Sequence, residues 1–283
     1  MCYFYLNYVI LTNRKGRDNM KKRIISAIIM ILIVLPFIIK GGIPYSLLVG
    51  LIGIMGYKEI IDLRKDKLSE FPNLMKYVGL ICLLLLIYSN FEKYGLLFGV
   101  PYKLLCLIIL FICIPIIFYK DKYKVSDAFH LLSDILFLGI GFNLFISIYN
   151  YNIKYFILLI LITTLTDTFA LFGGKLIGKH KFTNISPNKT IEGSLIGTVL
   201  STFVSTMYYV NVINSDVNIF KVVCLIIFLS IIGQCGDLFF SAIKREYNKK
   251  DFSKLIPGHG GILDRLDSMI FVLLAFVIII SYI

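Results

Sequence analysis

The 283 residues carry a formal net charge of +12, yet only 16% of them are charged and 58% are hydrophobic, with a mean hydropathy of +0.84. A soluble core of this size does not need so many uninterrupted apolar runs; spans of membrane-crossing length separated by charged gaps describe an integral membrane protein. The basic excess points to anionic partners such as lipid surfaces or nucleotides, and the six cysteines, mostly inside apolar runs and without metal-ligand spacing, read as small packing residues.

Residues 1–19 form a short mixed segment, after which Met20-Lys21-Lys22-Arg23 leads into an apolar run. That run ends without a small-residue cleavage site and more spans follow, so it is read as a retained first helix and not as a secretory signal. The expected organisation is an amino-terminal extension or misassigned start over 1–19 and one membrane-embedded domain over 20–283. Apolar runs bounded by polar clusters predict an all-α protein of about nine transmembrane helices, near 24–39, 44–57, 77–90, 101–119, 128–148, 154–174, 190–211, 219–240 and 266–283. If the amino terminus is inside, the inside segments hold 24 of the 29 Lys and Arg residues, and the outside keeps only Lys40, Lys93, Lys103, Lys154 and Lys221. This bias predicts a cytoplasmic amino terminus and an external carboxyl terminus.

Few ionisable residues interrupt the first half. Glu59, after the second run, reads as a solvated interfacial charge, with membership of a catalytic cavity as the alternative. His130 and Asp134 lie four apart in the fifth run and are expected to satisfy each other, the alternative being a functional role.

Thr163 to Gly193 is richer. Asp167 sits inside the sixth run among threonines, where an unpaired carboxylate is costly. Gly173, Gly174 and Gly178 are expected to loosen the helix end, and the Ser186-Pro187 step suits the start of the seventh helix. A basic loop obeying the topology rule, with glycines for close helix packing, explains this segment equally well.

The densest chemistry lies between the last two apolar runs, from Gly236 to Asp267. A helix there puts Asp237, Ser241 and Lys244 at i, i+4 and i+7 on one face. Pro257-Gly258-His259-Gly260-Gly261 cannot continue a regular helix, and such a turn can aim N–H groups at an anion. Asp264 and Asp267 follow at i and i+3, with Arg265 beside them; two carboxylates on one face repel unless a cation or proton is shared, so a hard divalent metal is the natural guest. A positive-inside loop accounts for Lys244, Arg245, Lys249, Lys250 and Lys254 but not for the carboxylates. His259 suits a phosphate donor, a proton carrier or a structural cap, with phosphate contact preferred.

The run Ser241-x-Ile243-Lys244-Arg245-x4-Lys250-Asp251-x-Ser253-x2-Ile256-Pro257-x-His259-Gly260-Gly261-Ile262-x-Asp264-Arg265-Leu266-Asp267 resembles the hallmark of the phosphatidate cytidylyltransferases, or CDP-diacylglycerol synthases, without departure over its 27 positions. Ser186-Pro187-Asn188-Lys189-Thr190-x-Glu192-Gly193, with Asp167 before it, resembles that family's other recurring block. The resemblance covers residues 20–283, the amino-terminal half in character only. It implies an enzyme of the cytoplasmic (inner) membrane, working at its cytoplasmic face, that transfers CMP from CTP to phosphatidate and releases pyrophosphate. The implied catalytic set is Asp237, Lys244, Arg245, Asp264 and Asp267. Mg²⁺, as one ion or two, would sit on Asp237, Asp264 and Asp267, and substrate would be bound by Asp167, Ser186, Lys189, Glu192, Ser241, Lys250, His259, Gly260, Gly261 and Arg265. The partners are then CTP and bilayer phosphatidate, with no nucleic acid; a homodimer is compatible with the reading.

Two other membrane classes fit less well. A transporter would place its charges near mid-membrane in corresponding halves of a repeat, which the sequence lacks. A CDP-alcohol phosphotransferase would need D-G-x2-A-R and D-x3-D spacing, absent here.

The charge split makes a direct prediction. Single cysteines at Asp66, Lys122, Thr183 and Lys250 should be labelled only from the cytoplasmic side, and those at Glu92, Tyr151 and Ser215 only from outside. External labelling at Lys250 would overturn the topology.

Overall fold

A computed structural model describes residues 25–64, 71–89, 101–119, 122–183, 185–187, 189–258 and 260–280; residues 1–19, read as an extension, and His259 lie outside them. Among the described residues ten α-helices follow one another: α1 (Ile25–Lys40), α2 (Gly42–Leu63), α3 (Asn73–Ile87), α4 (Tyr102–Cys113), α5 (Pro115–Phe118), α6 (Val125–Tyr151), α7 (Ile153–Ile177), α8 (Ile191–Tyr208), α9 (Ile219–Glu246) and α10 (Leu263–Ile279). Because α4 and α5 are one run broken before Pro115, the described residues form the nine helical segments that hydropathy predicts. No strand occurs among them, only isolated bridges at Lys181–Thr190 and Ile256–Gly260.

The surface distribution is that of a protein in lipid. Leu32, Leu51, Phe111, Leu195, Phe203 and Phe220 face outward, while Ser201, Ser205, Ser230 and Asn143 are buried. In water that arrangement would be inverted. In a bilayer the outer face gains nothing from being polar, and interior hydroxyls and amides serve as helix-to-helix glue. Four helices, α6, α7, α8 with the π turn Tyr209–Ile213 that ends it, and α9, are long and apolar enough to cross a membrane.

α6 is the central post, touching α2, α3, α4, α7 and α10. Its Asn143 reaches α3, where the amide donates to the carbonyls of Leu86, Ile87 and Ser89 at 3.2, 2.8 and 3.0 Å. The Ile87 carbonyl is one that a helix end leaves without an intrahelical donor, while that of Leu86 also receives the Ser89 N–H and hydroxyl at 3.3 and 2.7 Å. Around this post, α7 pairs with α8 and α9 with α10 through glycine contacts. A Cβ added to Gly193 would lie 2.6 Å from the Ala170 carbonyl oxygen, and one on Gly197 would lie 2.7 Å from that of Thr166. At Gly236 an added Cβ would meet Phe271 at 2.8 Å and the Asp267 carbonyl at 2.9 Å. Small residues four apart let two backbones touch, which is the main source of helix association in lipid. A chain of hydroxyls completes the seam: Thr166 bonds Ser201 and Ser230 at 2.9 and 2.8 Å, and Gln234 joins Thr198 and Ser194.

The structure corrects several boundaries. α2 runs to Leu63, six residues past its apolar run, because Gly56, Glu59, Ile60 and Leu63 keep a buried face at helical spacing. α9 likewise runs to Glu246, so Asp237, Ser241 and Lys244 do share one helix. α7 is not loosened at Gly173 and Gly174; it continues to Ile177, and the glycines accept Ile196 and Gly193 of α8 instead. α1 and α2 are separated only by Gly41, and the reversal is possible because Gly41 and Gly42 both have positive φ, 62° and 58°.

Replacing Gly197 by valine forces the α7 and α8 backbones apart and should cost about 1–3 kcal/mol. Thermal unfolding in detergent should therefore show a clear drop for Gly197→Val and none for Leu195→Val on the outward face.

Candidate active site

One end of the bundle collects the ionisable residues. The carboxyl ends of α2, α7 and α9 meet the amino ends of α6, α8 and α10 there, as direct contacts between these segments show.

Three carboxylates converge from three helices. Asp167 on α7, Asp237 on α9 and Asp267 on α10 lie within mutual electrostatic reach, with Lys189, Lys244 and Arg265 in the same field. Asp267 is 8% exposed, and its Oδ1 accepts the Ser268 N–H at 2.8 Å. Asp237 is paired with Lys189, whose Nζ is 2.5 Å from Oδ2, and its Oδ1 accepts from the Ser241 hydroxyl at 3.4 Å. Asp167 also lines a tight crevice between α7, α9 and α10 with Thr166, Ser230 and Ser268. The glycine contacts explain the convergence, since only closely packed helices bring side chains as short as aspartate together.

Asp264 has a different setting, although it is only three residues from Asp267. Its Oδ1 accepts from Lys244 Nζ at 2.6 Å, and its Oδ2 accepts the N–H groups of Phe252 and Gly261 at 3.0 and 2.8 Å. The Lys244 and Asp264 side chains are 10% and 3% exposed, and the ammonium also stands 5.4 Å from the Phe252 ring centre. Asp264 and Asp267 thus have different partners, because Phe252 and Gly261 of the loop before α10 turn their amides onto Asp264 while Asp267 accepts the Ser268 N–H. Gly260 enables this fold. It has φ +84°, its N–H goes to the Ile256 carbonyl at 3.1 Å, and an added Cβ would lie 2.7 Å from Asp264 Oδ2.

The turn expected to offer amides to an anion does so to the protein's own carboxylates. Gly261 donates to Asp264, while the next two amides, of Ile262 and Leu263, donate to Glu59 at 2.8 and 2.9 Å. Glu59 is therefore not a solvated interfacial charge: it is 5% exposed and also accepts from the Ser253 hydroxyl at 2.7 Å. Hydropathy missed it because charge begins at Lys58, whereas the helical spacing of Gly56, Glu59 and Leu63 carried the signal. Asp134 is corrected in the same way. Its partner is Arg64, 2.6 Å away, and His130 is exposed.

The loop between α7 and α8 folds back as a small hairpin, with Phe182 N–H to the Lys189 carbonyl at 2.8 Å and Ile191 N–H to that of His180 at 3.0 Å. Glu192 secures it by accepting the Lys179 and His180 amides and pairing with the His180 ring at 2.6 Å. Ser186 makes the turn that ends in Lys189, accepting its N–H at 3.1 Å. Arg245 donates to the Lys249 carbonyl at 3.2 Å and reaches the Ile185 carbonyl at 3.5 Å, so it bridges α9 to this hairpin. Lys250 and Arg265 are exposed. Arg265 also edges an apolar cavity of about 230 Å³ lined by Val34, Tyr45, Phe145, Phe156 and Met269.

An all-helical, membrane-type bundle whose carboxylates and basic groups gather at one end beside an apolar cavity defines the class of protein. The particular family follows from sequence comparison: the model described as "Cytidylyltransferase family" matches residues 21–283, and the chain belongs to that family. It is similar to proteins named phosphatidate cytidylyltransferase from Staphylococcus aureus (strain COL), at 34% identity over 257 residues, and Staphylococcus haemolyticus (strain JCSC1435), at 35% over 260 residues. In both comparisons 90% of this chain and 96% of the relative are covered.

The settings of Asp264 and Asp237 should separate experimentally. Lys244→Met leaves Asp264 buried without its cation and should cost about 3–5 kcal/mol, seen as a lower melting temperature in detergent; Asp237→Asn, at a half-exposed site, should leave that temperature nearly unchanged.

Proposed function

We propose that this chain is a phosphatidate cytidylyltransferase, a membrane enzyme that converts CTP and phosphatidate into CDP-diacylglycerol and pyrophosphate, with the site end of the bundle facing the cytoplasm. Family membership supports the reaction. The observation that carries the site is the meeting of Asp167, Asp237 and Asp267 with Lys189 and Arg265 next to an apolar cavity. Both substrates are anionic at their reacting ends, so cations are required where they meet.

The donor set fits Mg²⁺. Among the described residues no three His, Cys, Asp or Glu side chains enclose a metal by themselves, and Mg²⁺ characteristically takes one or two carboxylates and completes its shell with water and substrate phosphates. Asp237 and Asp267 would hold it, with Asp167 adjacent; Asp264, its oxygens engaged by Lys244 and two amides, instead secures the start of α10. When bound, the ion supplies charge neutralisation at the triphosphate.

The chain's own groups do the rest. Lys189 neutralises Asp237 before substrate arrives and is free to turn to a phosphate once that charge is shared. Lys250 and Arg245 lie on the same side for the triphosphate and the leaving pyrophosphate. Arg265 has a planar fork suited to two phosphate oxygens and stands at the rim of the cavity, so it anchors the lipid phosphate while acyl chain occupies the apolar space. A phosphatidate oxygen attacks the α-phosphorus of CTP, a P–O bond forms, and the bond from the α-phosphorus to the bridging oxygen breaks with its electrons leaving on pyrophosphate. Phosphatidate is already a competent nucleophile, so positioning and charge neutralisation suffice without a covalent enzyme intermediate.

Purified protein given labelled CTP and phosphatidate in detergent should form CDP-diacylglycerol only with Mg²⁺ present. Asp237→Asn and Asp267→Asn should lower turnover by orders of magnitude in folded protein, because a neutral amide binds a hard cation poorly. Labelled pyrophosphate should enter CTP only when lipid is present. Product formation at wild-type rates by both variants would remove these aspartates from the site, and rapid lipid-free exchange would overturn direct attack.

A further inference from the structure

The amino end of α10 has no cap of its own. Its N-cap residue is Ile262, whose side chain offers no acceptor, yet the first amides of a helix need one. Glu59 supplies it from α2, 203 residues earlier in the chain: Oε1 takes the Ile262 N–H at 2.8 Å and the Ser253 hydroxyl at 2.7 Å, and Oε2 takes the Leu263 N–H at 2.9 Å. A negative charge at this position also matches the positive end of the helix dipole. Gly261 is what lets the carboxylate in, since a Cβ there would lie 2.5 and 2.6 Å from the two Glu59 oxygens.

We infer that Glu59 is a positioning residue for the proposed reaction: it fixes the axial and rotational setting of α10 and thereby where Asp267 stands relative to Asp237 and Asp167. The inference rests on the functional reading above. Asp267 is four residues, about one turn, beyond Leu263. The Gly236 contact fastens α10 to α9 further along, but the start of the helix is held by the hydrogen bonds that its amides donate to the Glu59 and Asp264 carboxylates. Through Ser253 the same carboxylate also holds the loop that carries Lys250 and covers Asp264. Glu59 touches none of the three converging aspartates; it acts through the backbone that presents one of them.

The test uses Glu59→Gln, which keeps the shape but turns a donor toward a donor, and Glu59→Asp, which keeps the charge but is one methylene short. Both should lower kcat about 10- to 100-fold, the size of effect that a misplacement near 1 Å produces, with KM for CTP and for phosphatidate within about threefold of wild type. Tyr57→Phe is the stability control. Tyr57 lies on the same helix, and its hydroxyl donates to the Lys76 carbonyl at 3.0 Å, tying α2 to α3 and not to α10; it should lower the melting temperature but leave kcat unchanged. Hydrogen exchange on detergent-solubilised protein should show faster exchange at Ile262 and Leu263 in Glu59→Gln and no change there in Tyr57→Phe. Wild-type kcat in both Glu59 variants, a loss no larger than the lost folded fraction, or a raised KM at unchanged kcat would each overturn the inference. Failure of the wild type to make product would instead reject the reaction, while the exchange measurement would still decide whether Glu59 holds the start of α10.

Discussion

Three consecutive amides, those of Gly261, Ile262 and Leu263, are each received by a carboxylate, and the organisation of the active end depends on that arrangement. In a soluble protein water would satisfy such a helix start. Here it is buried beneath the 250–262 loop, where an unsatisfied N–H is costly, so Asp264 turns back on its own helix end and Glu59 reaches in from α2. The loop is thereby pinned, Lys244 is drawn in to balance Asp264, and the carboxylate left over on α10 is that of Asp267. The different partners of the two aspartates follow from backbone accounting before any substrate is considered.

Helix packing does the complementary work. Aspartate is a short side chain, so three of them on α7, α9 and α10 can share a field only if those helices are closely packed. Gly193 and Gly197 bring α8 against α7, and Gly236 brings α10 against α9. The hydroxyl chain through Thr166, Ser201 and Ser230 fills the seam without the bulk that would push the helices apart. A polar seam inside an apolar bundle is thus both the adhesive and the scaffold for the charges at its end.

How far the sequence discloses this can be judged residue by residue. The helical segments were legible, because in lipid an apolar run is itself the structural signal. The acidic and basic residues of the last two blocks were legible as a group, because a topology rule explains lysines but not Asp237, Asp264 and Asp267. The distribution of tasks within the group was not. Asp264 and Asp267 have the same residue type and suitable helical spacing, and only the path of the loop before α10 decides which one receives its amides. Glu59 was hidden for a related reason: its partners are backbone amides two hundred residues away, and amides leave no mark in a sequence. Asp134 was assigned to the neighbouring His130 because proximity along a helix is visible, whereas the approach of Arg64 from another helix is not.

The contact of Asn143 with the end of α3 bears on how the chain is assembled. With 15 residues, α3 spans only about 22 Å, short of a hydrocarbon core of roughly 30 Å, and hydrocarbon offers its terminal carbonyls no donor. The donor for Ile87 lies 56 residues downstream. The end of α3 therefore lacks this donor until α6 has been made, and the first half of the bundle is completed by a residue that the ribosome delivers late.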